Sequence, residues 1–354
     1  MNKIINILKE KKSIPLDQFI NFALYDKKSG YYMKKNPFGK RGDFITSPLI
    51  SNLFSEMLVI WCISFWESIG KPKKILLVEL GPGDGSLCKD ILKTFKQFNQ
   101  FYQSLEINLF EISDNLKKIQ KKKINNNKVK WIKKIDDIKT GPIIFIGNEF
   151  FDALPIKQIY KKNKKFFERY VTLSKNSERI KFLYKKANNK LIKRIQSLNL
   201  ISEGKIIEYP VKAIKFLETI AKKINKFGGG LLIFDYGSIA KKNKDTLQSV
   251  KKHKYKNIFL KPGNADITSH INFKLFSEIL CKNNLNVKKI TTQNEFLKKI
   301  GILERANILS QKMTFKAKAN MFFRLKRLLD YNEMGNIFKV LFAKKKKGKF
   351  NLGF

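Results

Sequence analysis

The stretch KILLVELGPGDGSLCKDIL, from Lys74 to Leu92, constrains the fold of this chain more than any other. Lys74 to Leu80 is a near-continuous apolar run, broken by Glu79, of the kind shown by a strand buried on both faces. Gly81, Gly83 and Gly85 follow within five residues. A backbone with so few Cβ atoms turns sharply and lets a ligand come close, and the helix predicted after it offers unpaired N–H groups at its start. Strand, glycine turn and helix in this order predict an open α/β sheet with a ligand at its carboxyl edge.

The register of the glycines narrows the ligand. A dinucleotide fingerprint is GxGxxG, and Ser86 stands where its third glycine would fall. The spacing here is GxGxG. Glu79 would also face a pyrophosphate with like charge across a low-dielectric turn, so it suits a cation better. Strand, acid and GxGxG together resemble motif I of the class I S-adenosylmethionine methyltransferases, whose ligand carries an ammonium and a sulfonium and no phosphate. The same residues also describe an ordinary glycine-rich turn with no ligand.

With 354 residues, 43% of them hydrophobic, the chain has room for one large α/β domain or two smaller ones, at ~150 residues per domain. The formal charge of +44 suggests nucleic acid. Only seven of the 73 basic residues are Arg, however, and the Lys are dispersed among many Asn and Ile. An AT-rich genome produces that mixture at tolerant surface positions, so a solvated lysine coat is expected and a nucleic-acid partner is not. The KKKKGKF run from Lys344 reads as a solvated basic end. Cys62, Cys88 and Cys281 lack any CxxC or Cys/His spacing, so neither a disulfide framework nor a metal site is expected. The N-terminal residues are too charged for a signal peptide, and no run of about 18 apolar residues predicts a membrane span. A bacterial cytoplasm is the expected compartment, with a mitochondrial matrix as the alternative.

Residues 1–70 read as a helical cap, with apolar residues at three and four spacing in PLDQFINFALYD and ISNLFSEMLVIWCISFWESIG. Alternating strands and helices from residue 71 to 155 make the first half of a core, and buried strands from 210 to 343, beginning with LLIFDYGS, make the second. Between them, residues 156–209 show short aromatic and charged runs separated by KKNKK and SKNSE, which predict inserted antiparallel hairpins. Residues 344–354 are the basic tail. No internal repeat is visible.

Candidate chemistry gathers after the predicted strands. Glu111 ends the strand after the glycine turn, where a carboxylate accepts from ribose hydroxyls, though a surface Glu after a strand reads the same way. Asp136 and Asp137 follow the third strand, where Asp137 is a candidate for an adenine amino group. NEFFDALPIKQ, from Asn148 to Gln158, follows the fourth strand and puts Asn148, Glu149 and Asp152 at the same edge. Enzymes that methylate nucleobase amino groups carry two prolines and an aromatic in this region; Glu149 and Phe150 stand where the prolines would be. Carboxylates beside a methyl donor suit an acceptor that is cationic and must lose a proton, and a guanidinium with pKa above ~12 is the obvious one. The competing reading has Glu149 or Asp152 capping a following helix. Asp43 and Thr46 fall in a predicted cap loop, although Thr46, Ser47 and Pro48 also make a helix N-terminus. Asp235 and Tyr236 end the fifth strand, and Asp266 and His270 lie in ADITSHINF, where His270 serves as a proton acceptor or as a hydrogen-bonded structural residue.

The stretches GYYMKKNPFGKRGDFITSP, VELGPGDGSLCKDIL, GNEFFDALPIKQ, GGGLLIFDYG, PGNADITSHINF, TQNEFLKKIGILERANIL and MGNIFKVL run over nearly the whole chain. Together they resemble the MidA family, which includes a mitochondrial complex I assembly methyltransferase that dimethylates an arginine. The resemblance implies a class I, Rossmann-like methyltransferase fold with an N-terminal helical cap and an inserted β-hairpin region. It implies S-adenosylmethionine as cofactor, held by Glu79, Gly81, Gly83, Gly85 and Glu111. A protein substrate, such as a complex I core subunit, is implied too, with Glu149 and Asp152 orienting its guanidinium; a homodimer is compatible with it. The rival readings are a non-catalytic assembly factor on the same fold and a nucleic-acid methyltransferase. Two positions depart from the family pattern: Leu49, where Glu is usual, and Asp84, where a basic residue is usual.

Overall fold

A computed structural model describes residues 2–34, 37, 47–175, 177–201, 206–239, 244–251 and 254–354. The chain divides into two compact units. One comprises Met1–Pro37, Phe151–Phe216 and Ser238–Phe276; the other comprises Phe38–Phe150, Leu217–Gly237 and Ser277–Phe354. The chain therefore passes between units at points other than residues 70, 155, 209 and 343. We call them the hairpin unit and the sheet unit.

In the sheet unit, strands Leu285–Val287, Phe338–Lys345, Gly229–Ser238, Ile143–Asn148, Ile75–Leu80, Leu105–Phe110 and Val129–Ile132 lie side by side in that order. The five strands from Gly229–Ser238 to Val129–Ile132 run parallel, whereas Phe338–Lys345 is antiparallel to its neighbours. This is the doubly wound, Rossmann-like order that the alternating pattern predicts, with one reversed strand added. All six residues of Ile75–Leu80 are buried, which explains its lack of polar alternation.

Helix Asn52–Ser68 belongs to this core and not to a peripheral cap. Ser51 starts it by accepting from the Leu53 N–H, and ten of its seventeen residues are buried, among them Trp61, Phe65 and Trp66. A helix apolar on most of its surface must be covered on most sides. The end of the chain supplies part of that cover: the Phe350 ring lies 5.4 Å from Trp61 and 5.2 Å from Phe65, and Trp61 Nε1 donates to the Leu352 carbonyl at 3.2 Å. Residues 344–354 are thus solvated at Lys346, Lys347 and Lys349, as their charge predicts, but packed at Lys344 and Phe350. Lys344 is itself buried, its Nζ donating to the Lys347 and Gly348 carbonyls at 2.7 Å, and burial pushes its pKa down. Lys344 tolerates this burial because its long stem packs while its amine finds carbonyls, whereas Lys346, Lys347 and Lys349 stay exposed.

In the hairpin unit, strands Lys157–Lys162, Lys165–Ser174 and Ser177–Lys186 form the predicted antiparallel hairpins. Asn163 and Lys164 both have positive φ in the tight first turn, as two-residue hairpin turns require. Ile206–Tyr209 pairs with the outer side of Lys157–Lys162. Ser13–Pro15 pairs with Lys165–Ser174, a strand that the helical reading of residues 1–70 misses. Three residues carry too little periodicity to be read as a strand, and only the partner edge makes them one.

The packing of the C-terminal segment generates a prediction. Replacing Phe350 by Ala should destabilise the protein by about 3 kcal/mol, the scale of losing a buried phenyl group. Urea denaturation of wild type and variant measures it, and a difference below about 0.5 kcal/mol, typical of an exposed position, would show the segment to be dispensable.

Candidate functional site

Aligned strand ends create the site in the sheet unit. Leu80 pairs with Phe110 on one side and Gly147 on the other, and Phe234 pairs with Asn148, so the carboxyl ends of four strands form one edge. The glycine turn leaves the first of these ends. Gly81, Gly83 and Gly85 all have positive φ, at 65°, 56° and 81°, a conformation that residues bearing a Cβ rarely adopt. Space is the second constraint: a Cβ on Gly81 would stand 2.8 Å from the Phe150 ring, and one on Gly85 would stand 3.1 Å from Ile124 Cδ1. The Gly81 N–H donates to the Phe110 carbonyl at 3.1 Å, and helix Ser86–Phe95 begins at Gly85.

Glu79 lies just inside this edge. It is buried, its Oε2 has no hydrogen-bond partner among the described residues, and burial, reinforced by the Asp84 charge, pushes its pKa up to about 8. A buried carboxyl in that condition fits a ligand that brings a donor, or a cation that draws the proton off. Asp84 is accounted for locally. Its Oδ1 accepts from the Ser86 N–H at the start of the helix, and its Oδ2 pairs with Lys123 at 2.5 Å. Helix Asp114–Ile124 thus supplies a positive charge beside Asp84.

Glu111 follows the second strand, buried. Its Oε1 accepts from the Ser113 N–H at 2.7 Å and its Oε2 from Gln120 Nε2 at 3.1 Å. Burial raises its pKa, and these hydrogen bonds oppose the rise. Gln120 is the residue that sequence reasoning misses. Fully buried, it donates from Nε2 also to the Gly83 carbonyl at 2.7 Å, and its Oε1 accepts from Trp131 Nε1 at 2.8 Å. One amide thus ties the glycine turn to Glu111. The only signal in the sequence is a polar residue on the apolar stripe Leu116, Gln120, Ile124 of an otherwise lysine-rich helix.

Asn148 and Glu149 end the fourth strand. Glu149 has φ +52°, a strained value for a non-glycine residue and one that marks sites where surrounding structure imposes a conformation. Its N–H donates to the Phe234 carbonyl at 2.9 Å, and its Oε1 accepts from Asn148 Nδ2 at 3.2 Å and from the Ser47 N–H at 3.4 Å. Asn148 Oδ1 is buried without a partner among the described residues. No helix starts after Glu149; residues 149–156 are bends, turns and irregular chain leading into a strand, so neither Glu149 nor Asp152 caps a following helix. Phe150 then packs its ring on Gly81 and edge-on to Phe110, 6.0 Å between centroids, which sets Glu149 one residue from the glycine turn's own packing partner. Asp235 is fully buried at the end of the fifth strand, accepting from the Tyr236 N–H, and Tyr236 packs against Phe338.

Asp137 and residues of the hairpin unit complete the expected set. Asp137 is exposed on a short 3-10 turn, where Asp136 and Ile138 offer their carbonyls to Lys223. Asp43 and Thr46 lie outside the described residues. Asp152, Asp266 and His270 belong to the hairpin unit. There the buried Asp266 accepts from Tyr32 OH at 2.9 Å, and Tyr32 stacks on Tyr25, whose OH donates to the Ala153 carbonyl. Burial, then the Asp266 charge, pushes the Tyr32 pKa well up. Asp152, also buried, accepts at its carbonyl from the Ser269 N–H. His270 is exposed at a cavity of about 520 Å³ lined also by Glu208, Thr246 and Phe276. Tyr25, Tyr32, Asp152 and Asp266 therefore form a polar cluster that sequence spacing alone does not reveal.

Gln120 supplies a prediction. Gln120→Leu removes partners from the Gly83 carbonyl, the Glu111 carboxylate and the Trp131 indole at once, which should cost about 2 to 4 kcal/mol of stability, since each stranded buried group costs about 1 to 3. Urea denaturation tests this; a near-neutral substitution would mean that the three groups find other partners.

Comparison with known proteins bears on the same residues. Residues 57–291 match the family described as "Putative S-adenosyl-L-methionine-dependent methyltransferase". The chain is 30% identical over 365 residues, 96% of this chain and 84% of the relative, to "Protein arginine methyltransferase NDUFAF7, mitochondrial" of Xenopus tropicalis. It is 32% identical over 308 residues, 80% of this chain and 71% of the relative, to the NDUFAF7 homolog of Caenorhabditis elegans. In fold it is similar to a crystal structure of a protein from Burkholderia thailandensis, described as a "likely methyl transferase" and bound to S-adenosyl-homocysteine, with TM-score 0.84, 21% identity, 99% of this chain and 93% of that one covered. The match runs through the glycine turn, Glu111 and Glu149 alike, and the chain belongs to this MidA-like family of S-adenosylmethionine-dependent methyltransferases.

Proposed function

We propose that this methyltransferase acts on a nitrogen of a protein arginine, in a substrate tied to respiratory complex I assembly. The observation that carries this reading is Glu149: a carboxylate held in a strained backbone conformation at the sheet's carboxyl edge, beside the packing partner of the glycine turn. The relatives named as protein arginine methyltransferases support it. We take the sheet unit as the cofactor module and the hairpin unit, with Asp152, Asp266 and His270, as the module that meets the substrate protein. The compartment we assign is a bacterial cytoplasm; the relatives carry a mitochondrial name.

The residues of the edge divide the work. Glu79 meets the amino group of the cofactor, the three glycines let it lie against backbone, and Glu111 keeps lone pairs for the ribose hydroxyls beyond those used by Ser113 and Gln120. When bound, S-adenosylmethionine supplies an electrophilic methyl on a sulfonium. Glu149 accepts hydrogen bonds from the guanidinium, aligns the attacking nitrogen and takes up the proton it sheds as the new nitrogen–carbon bond forms. Alignment of this kind supplies about 7 to 11 kcal/mol in well-oriented reactions. Asn148, through its bond to Glu149, fixes the rotation of that carboxylate.

Glu149→Gln keeps shape and cofactor binding but removes the charge, so turnover should fall ~10²- to 10⁴-fold with cofactor affinity changed less than about twofold. Single-turnover transfer of labelled methyl into protein, followed by analysis for methylarginine, checks both enzyme and acceptor. Wild-type turnover in the variant, or label in nucleic acid, would overturn the reading.

A pH effect follows from Glu79. Its folded-state pKa is raised from the usual 4.5 to about 8, so the free protein binds this proton more tightly than the unfolded chain does. That contribution to stability is full below about pH 4.5 and is lost as pH rises through about 8. A cationic ligand restores the charge. Binding of S-adenosylmethionine near pH 7 should therefore release about one proton more from wild type than from Glu79→Gln, read by calorimetry in buffers of different ionisation enthalpy. Equal release from both would place the ammonium elsewhere.

A further inference from the structure

Seven of the thirteen large apolar side chains exposed among the described residues fall between Leu303 and Ile337, about a tenth of the chain. Scattered exposed apolar residues need no explanation, but a concentration does. Helix Phe315–Leu329 carries the centre of it. Thr314 caps the helix through its bond to the Ala317 N–H, and Leu325, Leu328 and Leu329 bury one face, so the helix is anchored. Phe315, Ala319 and Phe323, at i, i+4 and i+8, make a stripe on the opposite face. Phe315 is 89% exposed and Phe323 66%, and Lys316, Arg324 and Lys326 beside them are exposed too. Ile308 and Met313 extend the apolar set at the start of the helix.

The charge of this face has one sign. From Gln311 to Leu329 there are six cations and no acid, and three of the chain's seven arginines lie between Arg305 and Arg327. Arg305 and Arg327 pair with Glu56 and Glu333, but dispersed lysine drift does not account for the outward phenylalanines. A basic helix with apolar residues on its outer face suits the boundary of an anionic bilayer, where phenyl and aliphatic groups enter hydrocarbon and the cations meet headgroups. Single-stranded nucleic acid would use the phenyl rings for stacking but would gain nothing from Ile308 and Met313. We propose that helix Phe315–Leu329, with the Ile308–Met313 segment, docks on an anionic lipid surface. The inference is independent of arginine methylation.

Sedimentation of the full chain with vesicles tests it. Binding to phosphatidylcholine vesicles carrying about 30% phosphatidylserine should exceed binding to phosphatidylcholine alone by about tenfold or more, and should weaken when salt is raised from about 0.1 to 0.5 M. The double variant Phe315→Ser with Phe323→Ser, with every charge kept, should lose about tenfold, whereas Phe315→Leu with Phe323→Leu should retain binding. Lys316→Gln, Arg324→Gln and Lys326→Gln combined should lose binding, while the control Lys118→Gln, Lys122→Gln and Lys139→Gln, also exposed lysines, should not. Circular dichroism and cofactor binding confirm that each variant is folded. Equal binding to both vesicle types, insensitivity to the Phe→Ser pair, or equal loss in the control would overturn the proposal. So would capture of polyglutamate or a single-stranded oligonucleotide with the same dependence on Phe315 and Phe323, which would assign the face to a protein or a nucleic acid.

Discussion

A carboxylic acid in a strand with no exposed residue is a costly thing to fold around, and Glu79 sets terms that the neighbouring structure has to meet. Burial holds its proton on up to about pH 8, and one oxygen has no partner among the described residues. The glycine turn next to it leaves room for a partner to arrive from the open edge of the sheet. A hydrocarbon side chain at position 79 would give a more stable strand and a turn with nothing to recognise.

Around that acid, each support serves two elements. Gln120 braces the glycine turn and Glu111 together, so neither can move without stranding a buried group. Phe150 fills the space that Gly81 leaves and fastens the Asn148–Glu149 corner to the same turn. Lys123 neutralises Asp84, whose charge would otherwise burden Glu79 further. The residues proposed for cofactor and for acceptor come from separate strands, and Phe150 links the two sets through its contact with Gly81. The strain at Glu149 persists because the Phe234 carbonyl, Asn148 and Ser47 all hold that residue.

The basic character of the chain has two origins that composition alone does not separate. Most lysines coat the surface singly. Lys344 is buried among carbonyls beside Phe342 and Phe350, and the cations of helix Phe315–Leu329 flank outward-facing rings. Physical setting, and not net charge, distinguishes a solvated coat from a packed tail and from a docking face.

Much of this was legible in the residues. Continuous apolar runs that alternate with helical periodicity determined the wound sheet, because parallel strands covered on both faces leave that pattern. The GxGxG turn after an acid pointed to a class of ligand, because positive φ and close approach demand glycine and a cation suits the acid. Polar turn residues between aromatic and charged runs marked the hairpins. The tertiary structure alone decided which residues meet. Gln120 reads as one polar position in a lysine-rich helix until its amide is seen between Gly83, Glu111 and Trp131. Ser13–Pro15 is a strand only because Lys165–Ser174 offers it an edge, Asp152 parts from Glu149 into the hairpin unit, and KKKKGKF leads into a packed chain end. Sequence patterns report a residue's average surroundings along its own element, whereas hydrogen-bond partners and ring contacts come from segments remote in sequence, and no local periodicity encodes them.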